Sequence, residues 1–152
     1  MHGTSPDLQV RIARLLERAV GACGKSISEI ARSSGMKRDS LRRSLAGDRS
    51  FTLNEVLAVL DAADHAAEET LLLLLLAGED FALAQGGTAP ARFLGEFFRR
   101  APLEIIEQLG DNIEELKPRW ANGTAKLLAR TLHQHIIDLN NRSDSIADRF
   151  AK

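Results

Sequence analysis

Between Ser26 and Gly47 the chain reads SISEIARSSGMKRDSLRRSLAG, and this stretch constrains the fold more than any other. Ser26 and Glu29 have the spacing of a capping box, in which hydroxyl and carboxylate each satisfy an N–H left open at a helix start. Ile27, Ile30 and Ala31 give that helix an inward face, and Gly35 suits a left-handed turn position that a side chain would penalise. A second helix is expected from about Lys37 to Ala46, with Leu41 and Leu45 four apart and pointing inward. Lys37, Arg38, Asp39, Arg42 and Arg43 then crowd its outer side. With four prolines, no tyrosine and almost no strictly alternating apolar pattern, the whole chain is expected to be all-α.

The flanking segments follow the same period. Ser5-Pro6-Asp7 is a good helix start, and Leu8, Ile12, Leu15, Leu16, Ala19 and Val20 form one face of a helix at about 6–22. Arg11, Arg14 and Arg18 lie off that face, as solvated arginines or as phosphate contacts. Thr52 and Glu55 repeat the capping-box spacing ahead of Leu53, Val56, Leu57, Val59 and Leu60, in a helix ending near Ala63. Composition shifts at Asp64–Glu69, so a domain boundary is expected near residue 66. Leu71–Leu76 would be apolar around a full helical circumference, which requires enclosure in a core or a subunit interface. Gln85–Pro90 looks like a linker. Beyond it, apolar stripes are expected to be interrupted at Pro102 and ended at Pro118. A helix over about 119–140 follows, forming an antiparallel hairpin with its predecessor and stopped by Asn140-Asn141. Ser143 would cap a last short helix carrying Ile146 and Phe150.

Net charge is −1, but its distribution is uneven. Residues 1–50 hold ten Lys/Arg against five Asp/Glu, residues 51–90 hold no Lys or Arg and seven acids, and residues 91–152 hold ten bases against nine acids. A basic head followed by an acidic middle suits one face that meets phosphate and another that does not. The single cysteine, Cys23, excludes an internal disulfide and suggests a reducing compartment, so a cytoplasmic location is expected. No signal peptide is read in the polar first residues, and the leucine run is shorter than the ~20 apolar residues a bilayer needs.

The frame Ile30-Ala31, Gly35, Leu41 and Gly47, followed by FTLNEVLAVLDAAD, resembles the helix-turn-helix of phage-repressor-like regulators, the xenobiotic-response-element or Cro/repressor-type family. The resemblance covers about residues 8–66, and Arg-Asp-Ser-Leu-x-x-x-Leu-x-Gly is particularly similar to the antitoxin-type branch. Arg42 and Ser44 stand where relatives often carry a small polar and an apolar or aromatic residue, and Ile27 where many place a phosphate-contacting glutamine. The resemblance implies a lambda-repressor-like helix-turn-helix bundle at residues 1–66, a helical dimerisation or regulatory domain at 67–152, and a bacterial or phage transcription regulator bound to double-stranded DNA.

A short apolar-backed helix with a cationic outer face is what a duplex major groove can admit. Lys37, Arg38, Asp39, Arg42 and Arg43 are the candidates for base contact; an arginine can pair bidentately with guanine, and Asp39 can accept from a cytosine amine or orient an arginine. Ser26, Ser28, Arg32 and Arg49 are candidates at phosphate level. The bland alternative is a solvated basic helix. His133 and His135, two apart on a helix, do not suit a metal. Glu68-Glu69 and Glu114-Glu115 read as solvated faces, and no nucleophile stands with a base, so neither an enzyme nor a cofactor is expected. Arg99, Arg100, Arg119, Lys126 and Arg130 form a second basic surface or ordinary exposed charge. The leading expectation is a homodimeric, sequence-specific DNA-binding regulator. The alternative is an interaction adaptor whose second half holds a toxin-like protein or RNA polymerase.

Overall fold

The computed structural model describes residues 7–150, with side chains through residue 142. Ser5 and Pro6 of the expected first helix start lie outside the described residues, as do the side chains of Ser143, Ile146 and Phe150. The chain is all-helical: eight α-helices and two 3₁₀ segments, with no strand among the described residues. They are α1 (Leu8–Ala22), α2 (Ile27–Ser34), α3 (Arg38–Leu45), α4 (Leu53–Ala62), α5 (Ala67–Ala77), α6 (Glu79–Gln85), α7 (Ala89–Leu109) and α8 (Ala121–Phe150). The 3₁₀ segments Gly110–Glu115 and Pro118–Trp120 lie between the last two. No helix among the described residues is long and apolar enough to cross a membrane.

Local chemistry sets the early boundaries. Both capping boxes form: Ser26 with Glu29 opens α2 and Thr52 with Glu55 opens α4. Gly35 closes α2 at φ 71°, while the Met36 N–H donates to the Ala31 carbonyl at 2.9 Å. Gly47, at φ 83°, repeats the device after α3, with the Asp48 N–H on the Arg43 carbonyl at 2.9 Å. Each glycine thereby lets the chain reverse while satisfying carbonyls that a helix end leaves open. No atom lies within 4 Å of where a Cβ on Gly35 would sit. Gly35→Ala is therefore expected to cost about 1–2 kcal/mol through backbone strain alone, read as a lowered urea midpoint with unchanged m-value.

The core is one cluster. Leu15 and Leu16 of α1, Ile30 of α2, Leu41 of α3 and Val56, Val59 and Leu60 of α4 pack together, and Leu73, Leu74, Ala82 and Ala91 join them from α5, α6 and α7. Packing thus does not divide at the expected boundary near residue 66; the first compact unit runs to Leu103. The reason is the leucine run. Leu73 and Leu74 are buried in the core while Leu75 and Leu76 are exposed, so α5 is covered on one side and not enclosed all round. The Arg11 guanidinium adds a bond to the Leu74 carbonyl at 2.5 Å, capping α5 from α1.

Later boundaries differ from expectation. The loop at 85–90 shrinks to Gly86–Thr88, because the Thr88 hydroxyl accepts from the Ala91 N–H at 3.3 Å and starts α7. Pro102 sits inside α7 without ending it. It lies on an exposed stretch, where water can satisfy the carbonyl that a proline leaves without a donor. Asn140-Asn141 does not stop α8 either, since asparagine in a helix costs only about 0.7 kcal/mol or less.

The second compact unit begins at Glu104. The helix expected over 105–116 ends at Leu109 and tightens into 3₁₀ geometry, so the expected hairpin at Lys117-Pro118 is not built as two packed helices. Leu116, Trp120, Leu127, Ile136 and Leu139, which belong to the apolar stripes on either side of that turn, are exposed. Among described residues 104–142 none is buried.

Candidate functional site

α3 is a two-turn helix whose inner side is fixed and whose outer side is bare. Leu41 and Ser44 are both fully buried, and α3 packs on α1 and α2. The side chains of Lys37, Arg38, Asp39, Arg42 and Arg43 are all exposed and form no hydrogen bond or ion pair. The base-contact set expected from sequence is therefore gathered on one helix and its N-cap residue Lys37, with Asp39 as its only acid.

That bareness contrasts with Arg18, Lys25 and Arg49 of the same unit. Arg18 pairs with Glu79 at 3.2 Å and Asp80 at 2.7 Å, and Lys25 pairs with Asp64 at 2.7 Å and the Ala62 carbonyl at 2.9 Å. Every partner comes from residues 55–80, the segment that carries acids and no bases. Arg49 is drawn in as well: its Nη2 donates to Glu55 Oε1 at 2.7 Å, and its Nη1 to Glu55 Oε2 at 3.1 Å and to Ser44 Oγ at 2.9 Å. The placement expected for Arg49, open to a phosphate, is not the one observed. A carboxylate six residues on is the nearer anion, and bidentate pairing favours it.

The other expected phosphate-level residues are exposed. Ser26 uses its hydroxyl to accept the Glu29 N–H at 3.2 Å, while its own N–H donates to Glu29 Oε2 at 2.7 Å. That backbone bond, then the hydroxyl, holds the Glu29 carboxyl below its ordinary pKa. Ser28 and Arg32 are exposed on α2, and Arg14 is exposed on α1 without a partner. Ser44 and Glu55, the inner half of this region, went unnoticed as site residues in the sequence. Only the Thr52–Glu55 spacing hinted that Glu55 would be held in place.

Glu55 carries a pH consequence. Hydrogen bonds from Arg49, then from the Thr52 backbone, hold its carboxyl below the ordinary value of 4.5, against partial burial. A depressed folded-state pKa contributes stability that is complete above the unfolded value and is lost as pH falls through the folded one. Glu55→Gln is expected to lower stability at neutral pH and to flatten its decline below about pH 4.5, as followed by urea unfolding between pH 3 and 7.

Elsewhere the expected chemistry is sparse. His133 and His135 are exposed, and among the described residues no group of three His, Cys, Asp or Glu is placed to hold a metal. Glu68 pairs with Arg99 at 3.4 Å, and the half-buried Cys23 donates to the Val20 carbonyl at 3.1 Å. Arg99 and Arg100 both pair with Glu96, whereas Arg119, Lys126 and Arg130 are exposed and unpaired. Chemically, α3 offers planar guanidinium forks that no carboxylate occupies, with Asp39 the single acid among them, a surface for anionic or acceptor-rich partners. Comparison with protein families, curated proteins and solved structures returns no match.

Proposed function

We propose that the chain is a sequence-specific DNA-binding transcriptional regulator. Its α2–turn–α3 segment acts as a helix-turn-helix of the phage-repressor type, and α3 reads the major groove. The observation that carries this is clustered bareness: Lys37, Arg38, Arg42 and Arg43 are exposed and unpaired together, while Arg18, Lys25 and Arg49 of the same unit are neutralised from within and Arg14 and Arg32 stand bare singly. Charges left uncompensated on one apolar-backed helix fit a groove whose walls are phosphate and whose floor presents acceptors. Arg38 and Arg43 are the candidates for bidentate base contact, with Ser26, Ser28 and Arg32 at the backbone. The protein then works in the cytoplasm, on the nucleoid.

One short helix reads few base pairs, so two linked copies on a two-fold site supply affinity and specificity. The second unit supports such pairing: Leu116, Trp120, Leu127, Ile136 and Leu139 are exposed and the unit buries none of its described residues. The same surface supports the second reading, an adaptor that holds a toxin-like protein or RNA polymerase. Selection of bound duplexes from a random pool, with light scattering of the purified chain, tests both. A two-fold consensus and a dimer support the regulator. An absence of sequence preference refutes it, and a stoichiometric foreign partner on a monomer favours the adaptor.

A further inference from the structure

The residue that sequence placed on the phosphate backbone has a different geometry, and that geometry suggests a different role. Ser44 lies on the inner side of α3, fully buried, one turn after Leu41. Arg49 reaches back across the Gly47 turn to its hydroxyl at 2.9 Å and clasps both Glu55 oxygens at 2.7 and 3.1 Å. Glu55 in turn accepts the Thr52 N–H at 2.9 Å and so belongs to the cap of α4. One guanidinium thus ties the end of α3 to the start of α4. The tie is directional, because a planar fork bonded to a carboxylate and a hydroxyl together fixes both distance and angle.

We propose that Arg49 is a positioning residue: with Ser44 and Glu55 it sets the pitch of α3 in the groove, and so determines sequence discrimination without itself contacting phosphate. The proposal rests on the DNA-binding reading above. Base readout depends on side chains of α3 meeting base edges at hydrogen-bond distance, whereas attraction to phosphate tolerates a shifted helix. Loosening the latch therefore degrades recognition of the right sequence more than attachment to any duplex. A phosphate contact behaves oppositely, weakening binding uniformly across sequences and lowering the salt slope by about one.

The experiment uses the full chain, a duplex selected from a random pool and an unrelated duplex of equal length, each titrated at several salt concentrations. Arg49→Met is the first variant, and Glu55→Gln, which keeps shape and removes charge, is the second. Circular dichroism and thermal melts establish that each is folded. The expected result is a loss of about 5- to 150-fold on the selected duplex, the scale of one mismatched base pair. Binding to the unrelated duplex and both salt slopes should stay at wild-type values, with a smaller loss of the same kind for Glu55→Gln. Equal weakening on both duplexes with a slope reduced by about 0.9 overturns the proposal in favour of a phosphate contact. Unchanged discrimination in both folded variants also overturns it. A wild-type chain that shows no preferred duplex sinks the DNA-binding reading instead, a result distinct from either.

Discussion

Alanine at both Arg38 and Arg43 is expected to weaken binding to the preferred duplex by about 30-fold or more, since each bidentate arginine contributes about 1–3 kcal/mol at its own base. Both side chains are exposed and without partners, so their removal leaves no buried group stranded. Stability should stay within about 0.5 kcal/mol, as for surface substitutions generally, which separates a binding defect from a folding one. Arg18→Ala is the matched control. It removes the same charge from a cation already paired with Glu79 and Asp80, and should leave sequence preference intact. Fluorescence anisotropy on selected and scrambled duplexes reads all of these. A double variant that binds as wild type would remove α3 from the interface.

The second large effect concerns where the chain can be cut. A fragment ending at residue 66 is expected to lack a cooperative unfolding transition, whereas one ending at residue 103 should retain it. Cutting at 66 strips Leu73 and Leu74 from the core along with Ala82 and Ala91, and removes the carbonyl that Arg11 caps. The two leucines alone represent about 3–6 kcal/mol of burial, at about 1.5–3 kcal/mol each. That is a large share of the ~5–15 kcal/mol by which a domain is stable. Thermal melts of the two fragments, followed by circular dichroism, decide the matter. A sharp transition in the shorter fragment would show that α5–α7 are dispensable.

Features governed by neighbours in sequence are legible in the sequence itself. The boxes at Ser26–Glu29 and Thr52–Glu55 and the reversals at Gly35 and Gly47 depend on three or four adjacent residues, and each formed. The cationic cluster on α3 followed from helical spacing alone. What escaped depends on residues distant in the chain. Arg11 meets the Leu74 carbonyl across 63 positions, and nothing near Leu71–Leu76 says which leucines face the core. Arg49 was misplaced because sequence gives a cation its charge but not its nearest anion. Pro102 does not interrupt its helix and Asn140-Asn141 does not stop the next: each carries a penalty that a long helix can absorb.

The acidic stretch between Phe51 and Pro90 has a consequence for kinetics. By pairing with Arg18, Lys25 and Arg49 at close range, it leaves the unpaired cations of the first unit gathered mainly on and just before α3, with only Arg14 and Arg32 bare elsewhere in it. A polyanion then exerts a torque as well as an attraction, turning the protein as it approaches so that collisions arrive with the same side forward.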